Sequence, residues 1–227
     1  MAFDCAVSEK ASTASNGAGH VLQRLQRASA QTAIGVLMGF DLQVAPGFSN
    51  QIGRFVTMMN SVRCQTLKRI GDLTTEELDH RYDGTSNSIG MLISHIVALE
   101  MFYSATLFEA RDVSVEDSLW GAGLRLGTRA CYAIRGYALE FYVDHMRTVR
   151  ERTLAHLRDV QDDWLDRYIV LLNDTTCSNA WALFHLIEEE AGHLGQIRWL
   201  HRRLPTRSAE VLPRHRAILE SHDAEVP

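Results

Sequence analysis

The stretch Phe184-His185-Leu186-Ile187-Glu188-Glu189-Glu190-Ala191-Gly192-His193-Leu194-Gly195-Gln196-Ile197 decides how this chain is read. It holds no proline, is flanked by apolar residues, and reads as the middle of a helix. Residues four apart on a helix stand above one another, so His185, Glu189 and His193 form one row. Gln196 falls on the same stripe, about 20° from Glu189 at roughly 100° per residue. Imidazole and carboxylate groups on adjacent turns of one face are the components of a chelating site for a divalent metal. Glu188 and Glu190 lack that spacing and turn away from His193. The competing reading is a weak surface pair, worth a few tenths of a kcal/mol. Against it stand Trp181, Leu186, Ile197, Trp199 and Leu200 around the row, because ionisable groups among apolar neighbours need partners.

Working outward, this helix spans about Ser178 to Arg203 and stops before Pro205. The turn Asn173-Asp174-Thr175-Thr176 can cap its start. Apolar residues at helical spacing predict three further long helices, near 50–70, 87–109 and 132–160. Between the first two, Thr74-Thr75-Glu76-Glu77 is a capping-box sequence. Residues 110–131, with Asp112, Ser114 and Asp117 before Gly121, Gly123 and Gly127, read as an insertion: a mobile lid or a linker with one short helix. They contain neither GxGxxG nor GK[ST], so a phosphate loop is not indicated. Residues 1–47 form an extension, with a small polar lead-in and a modest helix over about 20–38, ended by Pro46-Gly47. The main domain covers 48–204, and 205–227 is a charged tail. Four long helices without a convincing strand pattern predict an all-α, up-down four-helix bundle with a long crossover.

At 227 residues, 46% of them apolar, the chain can bury a sizeable single core. A formal charge of −5 and the lack of a long basic run argue against nucleic acid as a partner. No uninterrupted apolar run reaches the ~18 residues of a membrane span. Met1 to Lys10 carries Asp4 and Glu9 and does not resemble a secretion signal. Cys5, Cys64, Cys131 and Cys177 are scattered without a CxxC and read as reduced thiols. Together these features predict a cytoplasmic location without membrane attachment.

The second predicted helix carries His95 within Met91-Leu92-Ile93-Ser94-His95-Ile96-Val97-Ala98-Leu99-Glu100. A lone His in such a setting is more often a hydrogen-bonded core residue than a ligand. A Glu-x3-His pair on another helix shifts that balance, because bundle cores build metal sites from facing helices. Glu100 lies about 140° around from His95 and reads as a capping or pairing residue. Arg198 points about 180° from Glu189 and stays outside the site.

Three segments carry a resemblance: Gly71-Asp72-Leu73-Thr74-Thr75-Glu76-Glu77-Leu78, Ser88-Ile89-Gly90-Met91-Leu92-Ile93-Ser94-His95 and His193-Leu194-Gly195-Gln196-Ile197. Over about 48–204 the chain resembles the DinB-like four-helix-bundle metalloproteins. Its His-x3-Glu-x3-His run is similar to the branch associated with mycothiol and related low-molecular-weight thiols. The resemblance implies His95, Glu189 and His193 as metal ligands. The chain departs from that branch at Gly195-Gln196-Ile197-Arg198-Trp199-Leu200, where a second His and an acidic residue would be expected.

Three protein ligands leave a divalent ion with an open position, as in working rather than structural sites. Zn²⁺ is the first choice, and Ni²⁺ or Fe²⁺ also accept two imidazoles and a carboxylate. A thiol at the open position would be activated as thiolate. Together with the thiol-dependent chemistry that the resemblance implies, this gives the expected function: metal-dependent S-transfer, thiol exchange or isomerisation on a small metabolite. The alternatives are a biosynthetic enzyme that uses the pocket for another reaction, such as cyclisation, and a non-catalytic thiol- or metal-binding protein. His185 and Gln196 are expected to orient ligands or substrate. Leu183, Phe184, Ile187, Ala191 and Leu194 make the opposite face of the helix apolar too, which predicts a homodimer.

Overall fold

The computed structural model describes residues 41–109, 119–171 and 174–205. The expected helix at 20–38, the start of the insertion and the tail from 206 onward lie outside the described residues. Four long helices carry the architecture: α1 (Asn50–Ile70), α3 (Ile89–Ser104), α6 (Leu139–Arg158) and α7 (Asn179–His201). Shorter helices α2 (Thr75–Asp79), α4 (Leu119–Arg125) and α5 (Gly127–Ala133) fill the connections. The fold is the expected all-α bundle.

Local chemistry accounts for most of the boundaries. Asp162, far away in sequence, accepts from Ser49 Oγ at 2.5 Å, Gln51 N at 2.9 Å and Ile52 N at 3.2 Å. It thereby satisfies the free N–H groups at the start of α1 and sets a carboxylate on the positive end of the helix dipole. At α2 the capping box forms as expected, Thr74 Oγ1 accepting from Glu77 N and Glu77 Oε2 accepting from Thr74 N. Ser88 caps α3 and Ser178 caps α7. The cap of α7 is thus Ser178, and not the turn near 173–176.

Four expectations are corrected. The third long helix begins at Leu139 instead of Tyr132. Gly136 adopts φ +77° before it and donates its N–H to Asp79 Oδ2 at 2.8 Å, so a tertiary bond breaks the run that apolar spacing alone would continue. Trp164–Leu172 includes β1 (Tyr168–Val170), which pairs antiparallel with β2 (Thr176–Ser178), Ile169 opposite Cys177. Finally, the helical stretch Ile89–Glu109, α3 and its π-helical continuation Ala105–Glu109, is long and apolar enough by composition to cross a membrane. Most of its apolar length is buried within the bundle, and α3 packs against α4, α6 and α7 as the central core helix. Cys131 and Cys177 are free thiols, as expected, whereas Cys64 is disulfide-bonded, contrary to the expectation of four reduced thiols.

At the centre of the bundle each long helix contributes one buried charge. Arg63 of α1 bonds Glu190 of α7 (Nε to Oε1, 2.7 Å) and Glu100 of α3 (Nη2 to Oε2, 2.8 Å). Arg150 of α6 bonds Glu100 (Nε to Oε1, 2.7 Å) and reaches Glu190 (Nη2 to Oε2, 3.4 Å). Arg63 Nη1 also donates to the Met146 carbonyl at 2.7 Å. The quartet is neutral and well paired, which is what makes buried charges tolerable. Burial alone would raise the Glu100 carboxyl, but Arg150 and then Arg63 outweigh it and hold the group at about 2.

A pH dependence follows from that value. The folded-state pKa of Glu100 lies below its ordinary 4.5, so the stabilisation is complete above about pH 5 and is lost as pH falls toward 2. Chemical denaturation between pH 6 and pH 2.5 should show an acid-linked loss of about 3 kcal/mol from this group. The Glu100→Gln variant should lack that component.

Candidate metal centre

His95 comes from the middle of α3, and Glu189 and His193 come from adjacent turns of α7. Packing of α3 against α7 brings the three together. One ligand atom from each lies within 4.8 Å of the others. Glu189 Oε2 is 3.1 Å from His193 Nε2 and 3.6 Å from His95 Nε2. Metal bonds of 2.0–2.1 Å set neighbouring donors about 3.3 Å apart in a tetrahedral site, and the two measured separations bracket that value. His95 and His193 have side chains only 13% and 11% exposed, while Glu189 is 31% exposed. The cluster therefore lies at the edge of the core, partly open on the carboxylate side.

The far nitrogen of each imidazole is held. His95 Nδ1 donates to the Gly123 carbonyl at 3.1 Å, and His193 Nδ1 donates to Gln196 Oε1 at 3.1 Å. A carbonyl oxygen can only accept, so Nδ1 carries a proton in both rings, and Nε2, the nitrogen on the Glu189 side, is the one each ring can offer to an ion. Burial, followed by the neighbouring His193, holds His95 below the ordinary imidazole range. Neutral rings with fixed tautomers are what a divalent ion requires of histidine ligands. The donor set therefore fits a metal.

The insertion supplies the group that orients His95. Instead of a lid or plain linker with one helix, its described part forms α4 and leads into α5. Gly121, Ala122 and Gly123 are buried against α3. A Cβ on Gly123 would come 3.0 Å from the Ser94 carbonyl oxygen, which is why the helices can approach so closely only at glycine. Gly123→Ala should move α4 away from α3, release His95 Nδ1 and weaken metal binding by about 10–100-fold. Competition with a fluorescent chelator would measure it; unchanged affinity would show that the Gly123 carbonyl does not matter.

The other expected residues divide as follows. Gln196 orients His193, as described. His185 is on the predicted row, its Nε2 3.7 Å from Glu189 Oε1, the oxygen not directed at the two imidazoles. Its ring stacks on Trp181 at 4.7 Å between centroids and meets the edge of Tyr103 at 5.9 Å. Glu188 has a 60% exposed side chain beside His185. Glu100 is a pairing residue of the central quartet, and Arg198 donates to Gln65, outside the cluster. Tyr103 was not foreseen. It stands eight residues after His95, a little over two turns along α3 and about 80° around from it, and is 3% exposed. Burial, then Cys177, then Glu189 raise its phenol further, so it stays protonated.

An α-helical bundle with two histidines and one carboxylate converging from facing helices is the architecture of a bundle metalloprotein. The DinB superfamily sequence profile matches residues 58–197, and the chain belongs to this superfamily. The matched region holds all three convergent residues and all four members of the buried quartet. No curated protein matches the sequence.

Proposed function

We propose that the protein is a metal-dependent enzyme in which His95, Glu189 and His193 hold one divalent ion, Zn²⁺ before Ni²⁺ or Fe²⁺. Its co-substrate is a low-molecular-weight thiol of the mycothiol type, used for S-transfer, thiol exchange or isomerisation. The observation that carries the proposal is the convergence of two Nε2 atoms, on rings each held by a bond at Nδ1, around one carboxylate oxygen. A bound ion of this kind supplies Lewis acidity, which lowers the pKa of a coordinated thiol. Glu189 contributes the negative charge that offsets the cation, and His185 steadies its second oxygen. Gln196 fixes the tautomer of His193. Tyr103 and the Trp181–His185 stack wall the cluster and limit water near the reacting sulfur. Within the same proposal the protein is a homodimer. The outer face of α7 supports this, for Trp181, Phe184 and Ala191 are exposed although Leu183 and Leu194 are buried within the bundle.

The test is turnover. Zn²⁺-loaded protein is incubated with a cysteine-derived thiol and 1-chloro-2,4-dinitrobenzene, and thioether formation is followed against the uncatalysed reaction. The proposal expects acceleration that disappears with chelator and in Glu189→Gln. A rate indifferent to chelator would contradict it.

A further inference from the structure

The buried quartet and the metal cluster share one pair of helices. α3 carries His95 and Glu100, and α7 carries Glu189, Glu190 and His193. Both acids of the quartet thus sit on the ligand-bearing helices, whereas both arginines sit on α1 and α6, which bear no ligand. Two buried carboxylates facing each other from α3 and α7 would repel, so at this level the guanidinium groups join the pair. Each arginine spans both helices, Arg63 reaching Glu190 and Glu100 at 2.7 Å and 2.8 Å, Arg150 reaching Glu100 and Glu190 at 2.7 Å and 3.4 Å. Each is also held by the helix that carries the other. Arg63 Nη1 donates to the Met146 carbonyl of α6 at 2.7 Å, and Arg150 Nη1 donates to Asn60 Oδ1 of α1 at 3.3 Å.

Convergence of the three ligands needs what such a clamp supplies. Glu190 follows Glu189 directly, and Glu100 lies about 7.5 Å along α3 from His95 at 1.5 Å per residue. Side-chain tips stand about 5–6 Å from a helix axis, so turning α7 by about 10° would move the Glu189 carboxylate by about 1 Å. A ligand constellation tolerates only about 0.5 Å. The two bonds to Glu190 oppose that rotation. The bridge on to Glu100 opposes a parting of α3 from α7, which would draw His95 away from Glu189, now at 3.6 Å, and from the His193 ring, now 4.7 Å between centroids. We propose that Arg63 and Arg150 are positioning residues of the metal centre. By bridging Glu100 to Glu190 they set the spacing of α3 and α7, and the rotation of α7, at which His95, Glu189 and His193 meet. The inference rests on the metal-centre reading and adds that helices contributing no ligand preorganise the site. A guanidinium suits the task because its planar fork bonds two carboxylates at fixed angles, which the point charge of a lysine does not.

The experiment is a Co²⁺ titration of the metal-free full chain, read by the visible absorption of the bound ion, whose position and intensity report the arrangement of its ligands. Arg63→Lys keeps the charge of the quartet and loses the fork; Arg150→Lys is the second variant should the first fail to fold. Val56→Ala is the control for lost stability alone, since it opens a cavity in the core around Ile52 and Met59, on the same helix as Arg63. All are compared at a temperature where their circular dichroism matches that of the native chain. The lysine variants should bind Co²⁺ about 10–100-fold more weakly and with an altered band. Val56→Ala should keep the native band and an affinity within about twofold. Lysine variants with native affinity and band would overturn the inference and leave the metal centre standing, and so would a control that loses as much as they do. A native chain that takes up no Co²⁺ would refute the metal-centre reading and this inference with it.

Discussion

Arg63→Met is expected to lower the stability of the fold by about 3–5 kcal/mol, the usual cost of removing one partner from a buried ion pair. The guanidinium joins Glu190 and Glu100 at 2.7 Å and 2.8 Å, with side-chain exposures of 7% for Arg63, 4% for Glu190 and 2% for Glu100. Its removal leaves two carboxylates facing Arg150 alone, one excess negative charge in a site closed to water. Methionine retains much of the volume, so the loss is electrostatic more than steric. The double variant Arg63→Met/Glu190→Met should cost less than the sum of the two single changes, since it removes both members of one pair and leaves Glu100 with Arg150. Asp163→Asn is the surface control: it removes a pair with Arg167 whose side chains are 73% and 67% exposed, and the denaturation midpoint should hardly move. Additive costs in the double variant, or a loss for Arg63→Met no larger than for Asp163→Asn, would show that the quartet does not pin the bundle.

Much of this molecule was legible in its sequence because helical periodicity is a local signal. The apolar spacing from Ile52 to Ile70 gives α1 to the residue, and the capping box at Thr74 gives α2. The row through Glu189 and His193 was legible for the same reason: it needs only the geometry of one helix. What was hidden depends on contacts between distant segments. The break before α6 comes from a bond between Gly136 and Asp79. The Gly123 carbonyl reaches His95 only because α4 lies against α3. Glu190 was read as turned away from the row, and it is, but it turns into the core quartet rather than into solvent. A sequence signal for that quartet did exist. Arg63 stands at helical spacing from Met59, Thr66 and Ile70, and Arg150 from Met146, Thr153 and Leu157, all of them buried. Two arginines in apolar stripes call for two buried acids, and Glu100 and Glu190 are the ones that answer.

The largest effect on function is expected from the ligand row. Purified protein should hold about one divalent ion per chain when loaded and freed of excess metal. His95→Ala and His193→Ala each leave two ligands and should lose most of that ion. Losing an orienting group outside the ligand set costs about 10–100-fold in affinity, and losing a ligand should exceed it. Glu189→Gln keeps size and helix propensity while removing the charge that balances the cation. Glu188→Gln makes the same chemical change one residue away, on a side chain 60% exposed to solvent.

The most direct test is therefore elemental analysis of three proteins prepared identically: the native chain, Glu189→Gln and Glu188→Gln. The account predicts about one ion per chain for the native protein and for Glu188→Gln, and well under a tenth of that for Glu189→Gln. Equal metal content in the two variants, whether both full or both empty, would contradict a site built on His95, Glu189 and His193.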